Sequence, residues 1–195
     1  MTHPERPQFD IDLGRFNGNP ADIGFWALVR EDLATHDGNW LDQGFWAVFS
    51  HRFGNMRMGV RTPILRWPLS LLYRIMVKLI EWMCGISLLY TVRLGRRVRI
   101  WHYGGMQLNA LAIGNDVHIR HNTTLGIKRR GDPRWLKPII EDDCDIGTGA
   151  VIVGGITIGR GSVIGANVVV ACDIPPGSIV TLPPPVIRPL RSEAP

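Results

Sequence analysis

An aliphatic residue returns every six positions through the second half of this chain. From Ile140 it recurs at Ile146, Ile152, Ile158, Ile164 and Val170. Upstream, Leu94, Ile100 and Met106 keep the step, and after one extra residue Ile113, Ile119 and Leu125 resume it. Gly follows the aliphatic at 95, 114, 126, 147, 159 and 165. A small or aliphatic residue often sits four places after it, at Val98, Val117, Ala150, Ser162 and Val168. Six is a multiple of the strand period, so each run reads as a short strand with one face inward. Fixed hexads signal stacked parallel β-coils, three hexads closing one triangular turn of about 18 residues. A β-sandwich with frequent turns would not hold one register through six hexads.

The first half reads differently. Residues 1–22 lack periodicity and are expected to form an arm. Asp22 is placed to cap a helix through FWALVREDLATH, and a second helix is expected from Gln43 to Asn55, carrying His51 and Arg52. A third spans residues 63–84, with Gly85 ending it. The fold class is therefore α+β. The expected domains are an arm 1–22, helices 23–86, a β-helix 87–180 with an inserted loop 127–137, and a Pro-rich tail 181–195. The third helix is very apolar, but Arg66, Arg74, Lys78 and Glu81 interrupt it, so it falls short of a membrane span. It reads either as buried against its neighbours or another subunit, or as lying on an anionic membrane through residues 63–84.

Net charge is +5, and the excess is local. The loop IKRRGDPRWLK holds five basic residues against Asp132 alone, and it interrupts the hexads between Leu125 and Ile140. Such a loop is a solvated surface or a seat for an anionic ligand; no nucleic-acid motif accompanies it, so nucleic acid is not expected as a partner. The first twenty residues are polar, with Pro4, Pro7 and Pro20, and three cysteines show neither pairing nor metal-ligand spacing. A cytoplasmic location follows as the expectation, at the inner membrane face if the third helix meets lipid.

Beyond the hexads, an ordered set of motifs stands out: GFWAVFSHRFGN, GISLLYTVRLGRRVRIWHYGG, IGNDVHIRHNTTLG, and the run from PIIEDDCDIG to ACDIPPGSIV. In this order the chain resembles the serine acetyltransferase branch of the hexapeptide-repeat acyltransferases, over roughly residues 25–180. The resemblance implies a left-handed β-helix, which periodicity alone does not fix. It implies transfer of an acetyl group from acetyl-CoA to a hydroxyl, with no metal and no covalent enzyme intermediate. An alcohol needs a base to attack a thioester. The matching histidine is His102; His121 falls where relatives carry His or Gln and would position His102 or the acyl oxygen. The coenzyme groove of the family matches Gly126, Gly149, Ala150 and Ala166, with Lys128, Arg129 and Arg130 near the phosphates. That groove lies between subunits, so the resemblance implies a homotrimer, and leaves open a dimer of trimers joined through the helices.

The departures point to the acceptor. Where the family opens its first coil on an acidic residue, Ile, His and Pro, this chain reads Ser87, Leu88, Leu89 and Tyr90. Trp101 replaces the Asp before the catalytic His, and Leu136-Lys137 replace an Arg-His pair before Pro138. Groups suited to a small zwitterion are gone, while Trp101, Tyr103 and Trp135 offer flat faces suited to a sugar ring. The expected acceptor is a saccharide, as an exopolysaccharide or lipid-linked precursor. Two other readings stand beside it: a serine O-acetyltransferase, against which the end Arg191-Ser192-Glu193-Ala194-Pro195 lacks the terminal Ile of partner-docking relatives, and a non-catalytic scaffold. A zinc site of His102, His118 and His121 fits in number only.

Overall fold

A computed structural model describes residues 14–187. Residues 1–13 of the expected arm and 188–195 of the expected tail lie outside the described residues. Three helices come first: α1 (Phe25–Thr35), α2 (Gln43–Met56) and α3 (Pro63–Cys84). Asp22 does not cap α1. Gly24 holds the cap position, and the Asp22 carboxylate pairs instead with Arg96 at 2.8 Å. The stronger cap is at α2, where Asp42 accepts from the Phe45 amide. Gly85 ends α3 at φ 64°, as its lack of a Cβ permits. No helix among the described residues is long and apolar enough to cross a membrane.

Fourteen short strands follow, from β1 (Ile86–Ser87) to β14 (Ile179–Val180), and all of their pairings are parallel. Every third strand shares a sheet as far as β13, and β14 joins β12 because the bridge at Ile174, between β13 and β14, is too short to be a strand. β1-β4-β7-β10-β13 form one face, β2-β5-β8-β11 the second, and β3-β6-β9-β12-β14 the third. The result is a three-sided parallel β-solenoid. In its regular part the ladder partner lies 18 residues on, as in Ile139 with Thr157 and Val151 with Val169. Across the inserted loop that step widens to 27, as in Ala112 with Ile139.

The hexad aliphatics fill the interior. Ile100, Ile119, Ile146 and Ile164 stack in one column, and the residues four places on (Val98, Val117, Ala150, Ser162, Val168) are buried beside their neighbours' strands. Two corners are built from residues tolerant of positive φ. One carries Arg97, Asp116, Asp143, Gly161 and Gly177; the other carries Gly105, Asn122, Gly149 and Asn167. Glycines after the aliphatics stack too tightly for a side chain: a Cβ on Gly114 would lie 2.4 Å from Asp142 Oδ1 and 2.7 Å from its amide nitrogen.

α2 docks on the first coil through His51 and Arg52. Both are fully buried. His51 Nε2 donates to the Val92 carbonyl at 2.8 Å, and Arg52 donates to the carbonyls of Leu94 (3.0 Å) and Gly95 (2.6 Å) while pairing with Asp32 at 2.9 Å. The solenoid thus offers backbone acceptors left free at its first turn, and the helix fills them. α3 packs on its neighbours through one side only, with Ile80 and Cys84 against the core. Only Tyr73 and Val77 of its 22 residues are buried. Ser70 faces the domain and accepts from Arg57 at 2.8 Å.

Candidate active site

The corner between β3 (Arg99–Trp101) and β4 (Met106–Leu108) is unlike those above it. Trp101 is level with Arg120, and Gln107 with Thr124. Four residues therefore join Trp101 to Met106 where two, His121 and Asn122, join Arg120 to Thr123. The two extra residues lie at His102. Sequence spacing places a single extra residue between Met106 and Ile113; the register corrects this. Met106 sits level with Thr123 and Ala150, and Leu108, not Met106, faces Leu125. The turn after Leu108 is one residue shorter, so the net count hides the bulge.

On this bulge His102 takes φ 61°, a left-handed conformation that few non-glycine residues adopt, followed by Gly104 at 98° and Gly105 at 64°. Its ring is exposed and meets the His121 ring edge to face, with centroids 5.5 Å apart. His121 is half-buried, its Nδ1 is shielded from solvent, and among the described residues that nitrogen has no hydrogen-bond partner. Its backbone carbonyl accepts from the Gly149 amide of the next coil at 3.1 Å. The two predicted histidines are thus one imidazole pair at one corner.

Of the other predicted residues, Gly149 continues the corner. A Cβ there would lie 2.2 Å from Asn167 Oδ1, so only glycine lets the asparagine above lie across it. Ala166 precedes Asn167 on the same edge and is exposed. Ala150 is fully buried in the interior cluster, so its side chain lines no groove; its inward column position fixes this. Gly126 ends β7 (Thr124–Gly126) with nothing within 4 Å of where a Cβ would be. Lys128 rises just beyond it, over Gly154, and both Lys128 and Arg129 are exposed. The loop then folds back, with Leu136 against Gly155 and the Lys137 ammonium on Asn109 Oδ1 at 2.7 Å. Burial, then the charge of Arg134, lowers the Lys137 pKa.

The aromatics divide. Tyr103 is 59% exposed beside His102. Trp101 is committed elsewhere: its indole N–H donates to His118 Nδ1 at 2.9 Å, and the Arg99 guanidinium lies 3.7 Å over its ring. Arg99 is held in turn by Asp37. Trp135 is exposed in the loop and makes no ring contact with His102, Tyr103 or Trp101 among the described residues. His118 is half-buried against Trp101, so the three imidazoles do not converge. Among the described residues no group of three His, Cys, Asp or Glu could hold a metal ion.

Sequence reasoning missed Glu81. A groove of about 340 Å³ opens beside the enlarged corner, bounded by Glu81, Ser87, Gly105, Gln107 and Thr124. Glu81, from the last turn of α3, accepts from the Ser87 hydroxyl at 3.1 Å and pairs with Lys78 at 2.5 Å. A carboxylate therefore stands against position 87, supplied by another element. Only the three-dimensional contact between α3 and β1 brings it there.

Residues 137–172 match the family model described as bacterial transferase hexapeptide (six repeats). The chain is 41% identical over 99 residues to a serine acetyltransferase of Bacillus licheniformis, covering 49% of this chain and 44% of that protein. It is 32% identical over 114 residues to the putative colanic acid biosynthesis acetyltransferase WcaB of Escherichia coli K12, covering 58% of this chain and 67% of WcaB. The chain belongs to the hexapeptide-repeat acyltransferases, in their serine acetyltransferase-like branch. Among solved structures of that branch, the Neisseria gonorrhoeae serine acetyltransferase (CysE) matches with a TM-score of 0.65 and 27% identity, over 86% of this chain and 67% of that one. The shared part is the solenoid with the helices preceding it. The chain spans about half the length of the first curated serine acetyltransferases it matches.

Proposed function

We propose that the chain transfers an acetyl group from acetyl-CoA to a saccharide hydroxyl, with His102 as general base. The pairing of His102 with His121 on the enlarged corner between β3 and β4 carries this reading. An imidazole nitrogen of His102 takes the hydroxyl proton as the acceptor oxygen bonds to the thioester carbon. The tetrahedral oxyanion collapses, the carbon–sulfur bond breaks, and the thiolate leaves with the proton. His121 holds the edge of His102 and donates toward the oxyanion. The open edge at Gly126, with Gly149 and Ala166 at the corner above, suits a slender thioester arm. Lys128 and Arg129, beyond the other end of β7, suit its phosphates.

The acceptor reading rests on Tyr103 beside His102, on the loss of the zwitterion-binding groups at 87, 101, 136 and 137, and on the name of one relative, WcaB. Trp101, held by His118 and Arg99, and Trp135, out in the loop, add little to it. The competing reading is a serine O-acetyltransferase, supported by the names of most relatives and by Glu81, which supplies a carboxylate beside Ser87. A homotrimer is supported by the family and by aliphatic residues bare on the solenoid, such as Val169 and Ile179 at 68% and 73% exposure. Dependence on acetyl-CoA and three free thiols support a cytoplasmic site.

Thiol release from acetyl-CoA, measured against L-serine and a panel of sugars, separates the two acceptors. The expected result is sugar turnover above serine turnover, and an at least ~100-fold lower kcat for His102→Ala. Robust serine turnover overturns the acceptor, and near-normal turnover by His102→Ala overturns the base.

A further inference from the structure

α3 turns its apolar side away from the protein. Ile64, Leu71, Ile75, Leu79 and Trp82 fall at helical spacings on one side and are 83%, 46%, 49%, 47% and 79% exposed. Trp67 near one end and Trp82 near the other are both largely bare. Arg74 and Lys78 flank the stripe and are exposed. The single acid on the helix, Glu81, is turned to Ser87 and Lys78. A helix that served only the core would show the opposite pattern, and a stripe this long on a water-facing surface marks a contact.

We infer that this face lies on a membrane surface that carries anionic headgroups. The aliphatic stripe enters the acyl boundary, the two tryptophans sit at headgroup depth, and Arg74 and Lys78 meet lipid phosphates. Charge decides between lipid and a second copy of the chain. Lys78 and Glu81 already answer each other within one helix, whereas Arg74 has no ion-pair partner among the described residues, and two copies packed antiparallel along the stripe bring the Arg74 of one beside that of the other. Anionic lipid answers the Arg74 charge, and the apolar stripe runs along a helix of 22 residues, long enough to lie along a membrane surface.

The full chain is spun with vesicles of phosphatidylcholine and phosphatidylglycerol at 7:3, and with phosphatidylcholine alone. The expected result is co-sedimentation with the anionic vesicles that weakens as salt rises. The double variant Arg74→Gln/Lys78→Gln partitions about 30-fold less. Ile75→Asp stays in the supernatant, with an unchanged thermal melt because its side chain is outside the core. Quenching of tryptophan fluorescence by brominated acyl chains, reduced in Trp67→Phe/Trp82→Phe, checks the same contact without a charge change. A wild-type chain that remains in the supernatant with anionic vesicles overturns the inference. So does an Ile75→Asp variant that halves the mass in solution while lipid binding is unchanged, which assigns the face to a second copy.

Discussion

Acidification should loosen the joint between α2 and the solenoid, and His51 sets the size of the effect. Its ring is fully buried, and Nε2 donates to the Val92 carbonyl at 2.8 Å. That bond fixes the neutral tautomer with the lone pair on Nδ1, a buried nitrogen with no partner among the described residues. A second proton would have to sit there, unpaired, next to the Arg52 charge. Burial first, then Arg52, push the His51 pKa down to about 3 against the pull of the Val92 carbonyl. An unfolded chain takes that proton near 6.5. Between about 6.5 and 3 the unfolded state binds more protons, so stability falls as pH falls; above 6.5 the contribution is fully present. At pH 5 the cost is about 2 kcal/mol, from roughly 1.5 pH units at about 1.36 kcal/mol each. That figure depends on the unfolded value alone while the pH stays well above the folded one. Urea unfolding of wild type and His51→Gln at pH 7.5 and 5.0 isolates it, since Gln keeps a donor for Val92 and does not titrate. Wild type should lose about 2 kcal/mol more than the variant between the two pH values. Equal losses would mean that His51 accepts a proton in the folded chain, and the docking described here would be wrong.

Two further outcomes are expected. Asp32→Ala strands the Arg52 guanidinium, which is fully buried, and should cost about 3–5 kcal/mol in a thermal or urea melt; a loss below 1 kcal/mol would mean that water reaches Arg52. Glu81→Gln should raise the acceptor KM about tenfold with kcat held, by removing a charged acceptor from the groove beside Ser87; unchanged KM would put the acceptor elsewhere.

The hexads made the solenoid legible because its interior repeats at every coil. Ile119, Ile146 and Ile164 are buried where the period puts them, and Asn122, Asp143 and Asn167 take the left-handed corners that such residues tolerate. Three features were hidden, each for a physical reason. Met106 keeps the six-residue step from Ile100 and is itself buried, so the bulge at His102 left no break in the pattern. The Asp22 cap failed because Arg96, far away in sequence, offered the carboxylate a charged partner. The apolar run of α3 left burial and a membrane surface both open, because burial depends on what lies opposite, and among the described residues nothing covers its outer side.

The division of labour follows from the geometry. A solenoid repeats its corners, so chemistry needs a place that breaks the repeat, and the bulge at His102 does so with two extra residues. The non-glycine φ of 61° is a costly conformation that the surrounding structure must hold. The helices packed at this end hold the rest in place: Asp37, just past α1, fixes Arg99 over Trp101, and Glu81 of α3 walls the groove. α3 therefore has two faces with separate tasks. Its last turn presents a carboxylate to the groove, and its outer stripe faces away from the protein. With that stripe on lipid, the groove opens within one helix diameter, about 10 Å, of the headgroups. An acceptor tethered to the membrane would then reach His102 without leaving it, whereas a free amino acid would gain nothing from the arrangement. Vesicle binding and acceptor choice are thus linked: a chain that ignores lipid loses the reason to prefer a lipid-linked sugar over serine.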